Sequence, residues 1–232
     1  NRLDNVLLAI YLLFNEGYNS TQHEDLIRKD LMHEAMQLCE LICRSRAVDH
    51  CKAHALMALI CFTASRNEAR QDAAGNILLL KEQDRKRWNK ALIEKGIFHL
   101  EASSEAEQVN KYQLEAGIAY EHARAASYAS TNWRNILKCY DLMCQFYPSP
   151  IIELNRAIVI SEINGPAEGI KAIEAITNLS ALKKYYLLPA TLGELNWQLQ
   201  NNKLANQYFA QAMVLTKSAA ERKLLQQKMN QH

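Results

Sequence analysis

The second half of this 232-residue chain repeats one pattern of apolar and small residues. Successive copies lie 33 and then 36 residues apart. The repeated positions hold Ile136, Tyr140 and Met143, then Gly169, Ile173 and Ile176, then Ala205, Phe209 and Ala212. Another segment with helical spacing of apolar residues precedes each copy, at 112–126, 151–163 and 181–199. A period near 34 residues, built from helix pairs, predicts repeats that stack and bury their apolar faces against one another.

The last copy fits the tetratricopeptide (TPR) pattern best. Gly193 stands twelve residues before Ala205, and Phe209 follows at the expected step. Small residues at these positions predict that two helices approach closely and that the aromatic ring fills the remaining gap. Asn196 and Pro189 depart from the pattern, since Tyr and Trp are usual there.

The rest of the chain favours helix as well. It has only four prolines and seven glycines, and Ala, Leu, Glu, Gln and Lys dominate. We therefore predict an all-α protein, a right-handed helical array (an α-α superhelix) of about twelve helices with TPR-like repeats in the C-terminal half. The turn formers Asp72, Gly75 and Asn76 predict a short non-helical excursion or hairpin near 68–80. The predicted divisions are an N-terminal helical bundle at 1–109 and repeats at 110–232.

Charge and cysteine content favour a protein-binding role in a reducing compartment. The formal net charge is +2, whereas a domain that holds nucleic acid by itself is usually more basic. No run of eighteen apolar residues occurs, so we expect no membrane contact. The six cysteines lie at helical positions and suit the cytoplasm. Because the chain begins with Asn inside a helical pattern, we expect a piece of a longer protein.

Several segments occur in a fixed order that is similar to a known family. They are YLLFNEGY (11–18), the excursion 66–80 running into QDRKRWNKALIEKG (83–96), YQLEAGIAYEHA (112–123), PSPIIELNRAI (148–158) and NGPAEG (164–169). Together they resemble the C-terminal region of extracytoplasmic-function (ECF) RNA polymerase sigma factors that carry a TPR-containing extension. The resemblance covers essentially the whole chain.

The resemblance implies a regulatory or scaffolding domain in bacterial transcription initiation. It places the DNA-binding sigma regions two and four upstream of this chain, so that promoter DNA would be contacted only through that missing part. The implied partners are these upstream sigma regions and, through them, the RNA polymerase core. A further protein could bind in the concave groove of the repeats.

The end of the first segment can be interpreted in two ways. The segment from Asn15 to Tyr18 resembles an active-site corner, but a lone carboxylate such as Glu16 is weak evidence for catalysis. We favour a helix end, in which Gly17 adopts the left-handed conformation and Tyr18 packs back onto the helix. Glu16 would then need a cationic partner. The candidates are Arg66, Arg70 and Arg85.

Two other polar sets are candidate interaction or polar-core residues. The set around the excursion contains Arg66, Arg70, Asp84, Arg85, Arg87 and Trp88. It either binds an acidic peptide or the sigma core, or forms a salt-bridged framework that fixes the excursion. The other set, on otherwise apolar helices, contains Gln113, His122, Asn155 and Arg156. These side chains either line the groove or hydrogen-bond neighbouring repeats.

A group of thiols and imidazoles raises the question of a metal. Its members are His33, Cys39, Cys43, His50, Cys51 and His54, and Gln37 stands where a zinc-protease motif requires histidine. Pairs one helical turn apart could chelate, but thiols among apolar residues are common core fillers. The sequence interpretation therefore assigns no metal and no cofactor.

Signals of catalysis are missing from the sequence. It contains no glycine-rich phosphate loop and no Gly-x-Ser-x-Gly turn, and its carboxylates are scattered. We expect no enzymatic activity. The alternative function left open is a small-molecule sensor, with Arg66 or Arg85 as a polar contact in an apolar cavity.

Overall fold

The structure, a computed structural model, describes residues 2–19, 28–45, 50–105 and 108–230. Over these ranges the regular elements are eleven α-helices and four short 3-10 helices, which confirms the all-α prediction. The α-helices are α1 (Arg2–Tyr18), α2 (Lys29–Arg44), α3 (His50–Ala64), α4 (Lys90–Ser103), α5 (Lys111–Arg124), α6 (Trp133–Phe146), α7 (Pro150–Asn164), α8 (Pro166–Glu174), α9 (Leu187–Gln198), α10 (Asn202–Leu215) and α11 (Ala219–Asn230). Among them no helix is long and apolar enough to cross a membrane.

The helices form two compact units, residues 1–132 and residues 133–232. The division expected at 109/110 falls inside the first unit, because α5 packs on α3 and α4. In the first unit α3 is the central helix and contacts α2, α4 and α5. Nearly all of its residues from Ala53 to Ala64 are buried, as a helix surrounded by other helices requires.

Gly17 does not end α1 in a left-handed conformation, so that prediction was wrong. The helix continues through Gly17 to Tyr18. Residues at the start of α2 pass directly over this position, and a Cβ on Gly17 would lie 2.8 Å from the Met32 backbone nitrogen and 2.9 Å from the Arg28 carbonyl oxygen. Glycine is therefore needed for a close approach of two backbone segments.

The predicted excursion is confirmed as a segment without α-helix between α3 and α4. It contains three 3-10 turns, η1 (Asn67–Ala69), η2 (Leu80–Glu82) and η3 (Arg85–Arg87), and one antiparallel bridge from Gln71 to Ile77. The Asp72 carboxylate accepts hydrogen bonds from the backbone N–H groups of Ala74 and Asn76. Gly75, with φ of +77°, completes the turn.

In the second unit, the predicted close packing of small residues is confirmed. A Cβ on Gly193 in α9 would lie 2.6 Å from the Phe209 ring of α10, and Phe209 is fully buried. Likewise, a Cβ on Gly169 in α8 would lie 2.5 Å from the Ser161 Cβ of α7. The expectation of one helix over 181–199 was wrong, because a 3-10 helix, η4 (Leu179–Leu182), precedes α9. Pro189 fits the first turn of α9, where its missing N–H needs no partner.

Candidate functional site

The end of α1 is joined to the excursion by Arg70. Its guanidinium donates a hydrogen bond to the Tyr18 carbonyl oxygen and lies 3.7 Å from the centre of the Tyr18 ring. The same ring stacks on Phe14, with ring centres 5.8 Å apart. Arg70 is therefore engaged by Tyr18, although it was a candidate partner for Glu16. Arg28, at the start of α2, is a charged neighbour of Glu16.

Tyr11 links α1 to α5. Its hydroxyl is hydrogen-bonded to Asn15 and Glu115, and its ring meets Tyr112 edge-on at 5.7 Å. Burial raises the pKa of Tyr11 and also raises the pKa of the Glu115 carboxyl. Asn15 thus supports a buried tyrosine, and the YLLFNEGY and YQLEAGIAYEHA segments meet in the first unit.

Two of the sequence candidates, Arg66 and Arg85, lie over the indole ring of a third, Trp88, and His122 is close enough to both guanidinium groups to be affected by their charge. We call this group the Trp88 cluster; its members are Arg66, Gln83, Arg85, Trp88 and His122. Trp88 is 3% exposed, and the guanidinium carbons of Arg66 and Arg85 lie 5.4 Å and 4.0 Å from its ring centre. Such cation–π contacts stabilise each arginine against the ring, by about 0.5–2 kcal/mol depending on desolvation.

Hydrogen-bond donors outnumber acceptors in the Trp88 cluster. Arg66 Nε donates to Gln83 Oε1 at 3.2 Å, and Gln83 Nε2 donates to the Leu78 carbonyl at 3.1 Å. The three guanidinium nitrogens of Arg85 and Nε1 of Trp88 are buried and have no acceptor in the described part of the chain. The salt-bridged framework considered from the sequence is therefore not seen for Arg85 within these ranges.

The electrostatics of the cluster reflect two close cations in a partly buried position. Burial, together with the nearby Arg66, lowers the pKa of Arg85 to about 10. Burial and the guanidinium groups of Arg66 and Arg85 lower the pKa of His122 to about 4. His122 is consequently neutral near pH 7 and adds no positive charge to a site that already holds two.

The remaining groove candidates lie elsewhere. Gln113 is the third residue of α5, where it completes a capping box with Asn110 and donates to the Ser103 carbonyl at the end of α4. Arg156 on α7 forms an ion pair with Asp141 on α6 at 2.6 Å, and Asn155 precedes it, partly buried. Gln113 therefore joins two helices of the first unit, and Arg156 joins two helices of the second.

A second polar group lies deeper in the first unit. We call it the thiol–imidazole cluster; its members are Cys39, Cys43, His54 and His99. One ligand atom each from Cys43, His54 and His99 lie within 4.8 Å of one another. The Nδ1 atoms of His54 and His99 are 2.8 Å apart. The Cys39 thiol is hydrogen-bonded to Cys43, and this contact, with the nearby histidines, holds the pKa of Cys43 below its usual range.

Sequence reasoning considered Cys39, Cys43 and His54 but missed His99. His99 is 3% exposed and lies on α4, 45 residues after His54. Local spacing gives no sign of this contact. The available signal was a single polar residue within an otherwise apolar run of α4, Ile97 to Leu100. The other members of the sequence group behave differently: His33 and Gln37 are exposed and bond each other at 2.9 Å.

Comparisons with known proteins give limited information. Residues 2–104 match the model of a family of unknown function (DUF6596). An uncharacterized protein of Rhizobium meliloti (strain 1021) is 32% identical over 220 residues, which cover 95% of this chain and 51% of that protein. The chain thus spans about half the length of the curated relative it matches. No solved structure matches it significantly.

Proposed function

We propose that this chain is the regulatory C-terminal extension of an ECF RNA polymerase sigma factor and acts in the cytoplasm by binding protein. Its partner is the upstream sigma regions of the same protein, which it holds in one arrangement relative to the polymerase core. The TPR-like pairs of the second unit belong to the same extension. The observation that carries this proposal is the set of buried donors in the Trp88 cluster, which an acceptor from another molecule or domain would satisfy.

The arrangement of the sequence segments supports the proposal. Segments that carry the resemblance to sigma-factor extensions meet in the first unit through Tyr11, Tyr18 and Arg70. The Trp88 cluster draws on the same segments, since Arg85 and Trp88 lie at the C-terminal end of the excursion and His122 belongs to α5. Segments that are far apart in the chain therefore build one region, as a shared role in binding requires.

The chemistry of the Trp88 cluster indicates what it binds. A buried guanidinium without an acceptor is costly, and a carboxylate satisfies it with two parallel hydrogen bonds. The indole N–H supplies a further donor, and neutral His122 adds no third positive charge. We infer that the partner segment presents an Asp or Glu side chain to Arg85, with Arg66 as the second cation.

The first unit also exposes apolar side chains that a partner protein could cover. On α1, Leu8 and Leu12 are 48% and 58% exposed and lie one helical turn apart. Interfaces commonly combine an apolar patch with a few charged contacts that fix orientation. The length of the relative is compatible with the proposal, since about half of it lies outside the match.

Two measurements test the proposal. The first compares promoter-specific transcription by the full-length factor with transcription by a factor truncated before residue 1. The second measures binding between this chain and the separately expressed upstream sigma regions for Arg85→Met and for the matched control Lys86→Met, whose side chain is exposed. We expect truncation to change transcription, and Arg85→Met to weaken binding at least about tenfold, as for an interface hot spot.

Unchanged transcription under all conditions would exclude a regulatory role. Binding that is lost equally in Arg85→Met and Lys86→Met would mean that general positive charge, and not the buried guanidinium, carries the contact. If truncation changes transcription but the chain does not bind the upstream regions, the partner of the Trp88 cluster would be a separate protein.

A further inference from the structure

We propose that the thiol–imidazole cluster is a zinc site in which Cys43, His54 and His99 coordinate the ion and Cys39 supplies the fourth ligand. This site would join α2, α3 and α4 inside the first unit. It shares no residue with the Trp88 cluster and needs no partner bound there.

The geometry of Cys43, His54 and His99 is close to that of a coordinated ion, whereas Cys39 lies outside this close set and its sulfur would have to move towards the ion. The three ligand atoms come from three helices and lie within 4.8 Å of one another. In tetrahedral zinc, bonds of about 2.0–2.1 Å to nitrogen place two ligand nitrogens about 3.3 Å apart. The Nδ1 atoms of His54 and His99 are 2.8 Å apart, so they need to separate by about 0.5 Å. Small side-chain rotations achieve a shift of that size.

The ligand types are those that zinc prefers. Thiolate sulfur and imidazole nitrogen form most structural zinc sites, as Cys2His2 and related sets. A second thiolate also matters for charge, because two thiolates neutralise Zn²⁺ in a buried position. Cys39, one turn before Cys43 on α2, is fully buried and is hydrogen-bonded to the Cys43 thiol. Cys39 Sγ also lies 3.5 Å from the Ala53 carbonyl oxygen, a weak alternative contact that coordination would replace.

His99 also has the outer contact that zinc-bound histidines usually have. Its Nε2 lies 4.0 Å from the Glu40 carboxylate, on the side of the ring away from His54. Glu40 is held in place by Lys95 at 2.7 Å and Arg44 at 3.2 Å. A carboxylate near Nε2 favours the proton on that nitrogen, which leaves the Nδ1 lone pair for a metal.

The first experiment measures metal content. The chain is loaded with Zn²⁺, dialysed against buffer without chelator and analysed by mass spectrometry for metals. We expect about one zinc per chain for the wild type and for the control Cys51→Ser, which changes a cysteine on α3 outside the cluster. Cys43→Ser and His99→Gln should lose stoichiometric zinc. Circular dichroism of each variant confirms that the helices are intact.

The second experiment avoids substitutions altogether. Titration of the wild-type chain with Co²⁺ should give a thiolate-to-cobalt charge-transfer band and tetrahedral d–d bands that saturate at one equivalent. Added Zn²⁺ should remove both. If no thiolate band appears, or if Cys43→Ser retains stoichiometric zinc, the site is only a hydrogen-bonded histidine pair packed against core thiols, and the proposal fails.

Two further variants test the outer parts of the site. Glu40→Gln should weaken zinc binding by about 10–100-fold, as outer-shell changes commonly do, without abolishing the thiolate band. Cys39→Ser should lower the intensity of that band by about half, since one of two thiolates is lost. Full intensity in Cys39→Ser would remove Cys39 from the ligand set.

Discussion

The two units stabilise their helices with different kinds of interior. Within the described ranges, the buried polar side chains of the second unit are Ser161, Asn196 and Thr216, all uncharged. The first unit buries uncharged polar side chains too, and in addition the ionisable residues Arg70, His99 and Glu121. Burial of ionisable groups costs free energy unless they are paired, and buried ionisable groups are common at functional sites. The comparison indicates that packing defines the second unit, whereas the first unit also contains the candidate sites.

The largest loss of stability is expected in the second unit, at a buried side chain whose role is packing. Phe209→Ala in the second unit removes a fully buried ring and should lower the free energy of unfolding by about 3–5 kcal/mol. Urea denaturation followed by circular dichroism measures this loss. The control is Gln207→Ala, at an exposed position of the same helix. A loss below about 1 kcal/mol would contradict the view that this contact holds α9 and α10 together.

Stability in acid should depend on His122, a partly buried histidine of the first unit. Its pKa is about 4 in the folded chain and about 6.5 in a model peptide, so the unfolded chain takes up the proton first as the pH falls. The folded state therefore loses stability below about pH 6.5, by about 2–3 kcal/mol at pH 4.5. His122→Gln should remove this part of the pH dependence. Urea denaturation at pH 7 and pH 4.5 provides the test.

The matched control for His122 is His33→Gln, at an exposed position of α2. It should leave the acid sensitivity unchanged. If His122→Gln loses as much stability between pH 7 and pH 4.5 as the wild type, the low pKa of this imidazole does not contribute to acid unfolding.

Gly17 offers a test of close packing in the first unit. If the position needs space, Gly17→Ala should cost about 1–3 kcal/mol and Gly17→Asn more, because the larger side chain meets the Met32 backbone. A left-handed helix end would give the opposite order, since Asn tolerates that conformation better than Ala. Thermal unfolding of the two variants decides between these explanations, and greater stability of Gly17→Asn would contradict the structure.

The sequence predicted contacts between consecutive helices of the second unit better than it predicted the candidate sites of the first unit. The contact between Gly193 and Phe209 was predicted because it recurs at a fixed period and joins consecutive helices. The Trp88 cluster was predicted only as a list of candidates, since Arg85 and His122 are 37 residues apart and no pattern sets their distance. His99 was missed for the same reason. Gly17 was misassigned because glycine near a helix end can serve either a left-handed conformation or a close approach of another segment. The close approach depends on the position of α2, which the sequence does not show.

The smallest effect on stability is expected from the residue with the largest proposed role. Arg85→Met removes an unpaired buried cation and its stacking on Trp88, two changes of opposite sign, so the free energy of unfolding should change by no more than about 1 kcal/mol. Lys86→Met, at an exposed neighbour, should change it as little. Chemical denaturation of both variants measures the difference. A loss of about 3–5 kcal/mol in Arg85→Met alone would show that the guanidinium is paired in solution and fixes the excursion. The Trp88 cluster would then be part of the packing of the first unit, and it would no longer distinguish that unit from the second.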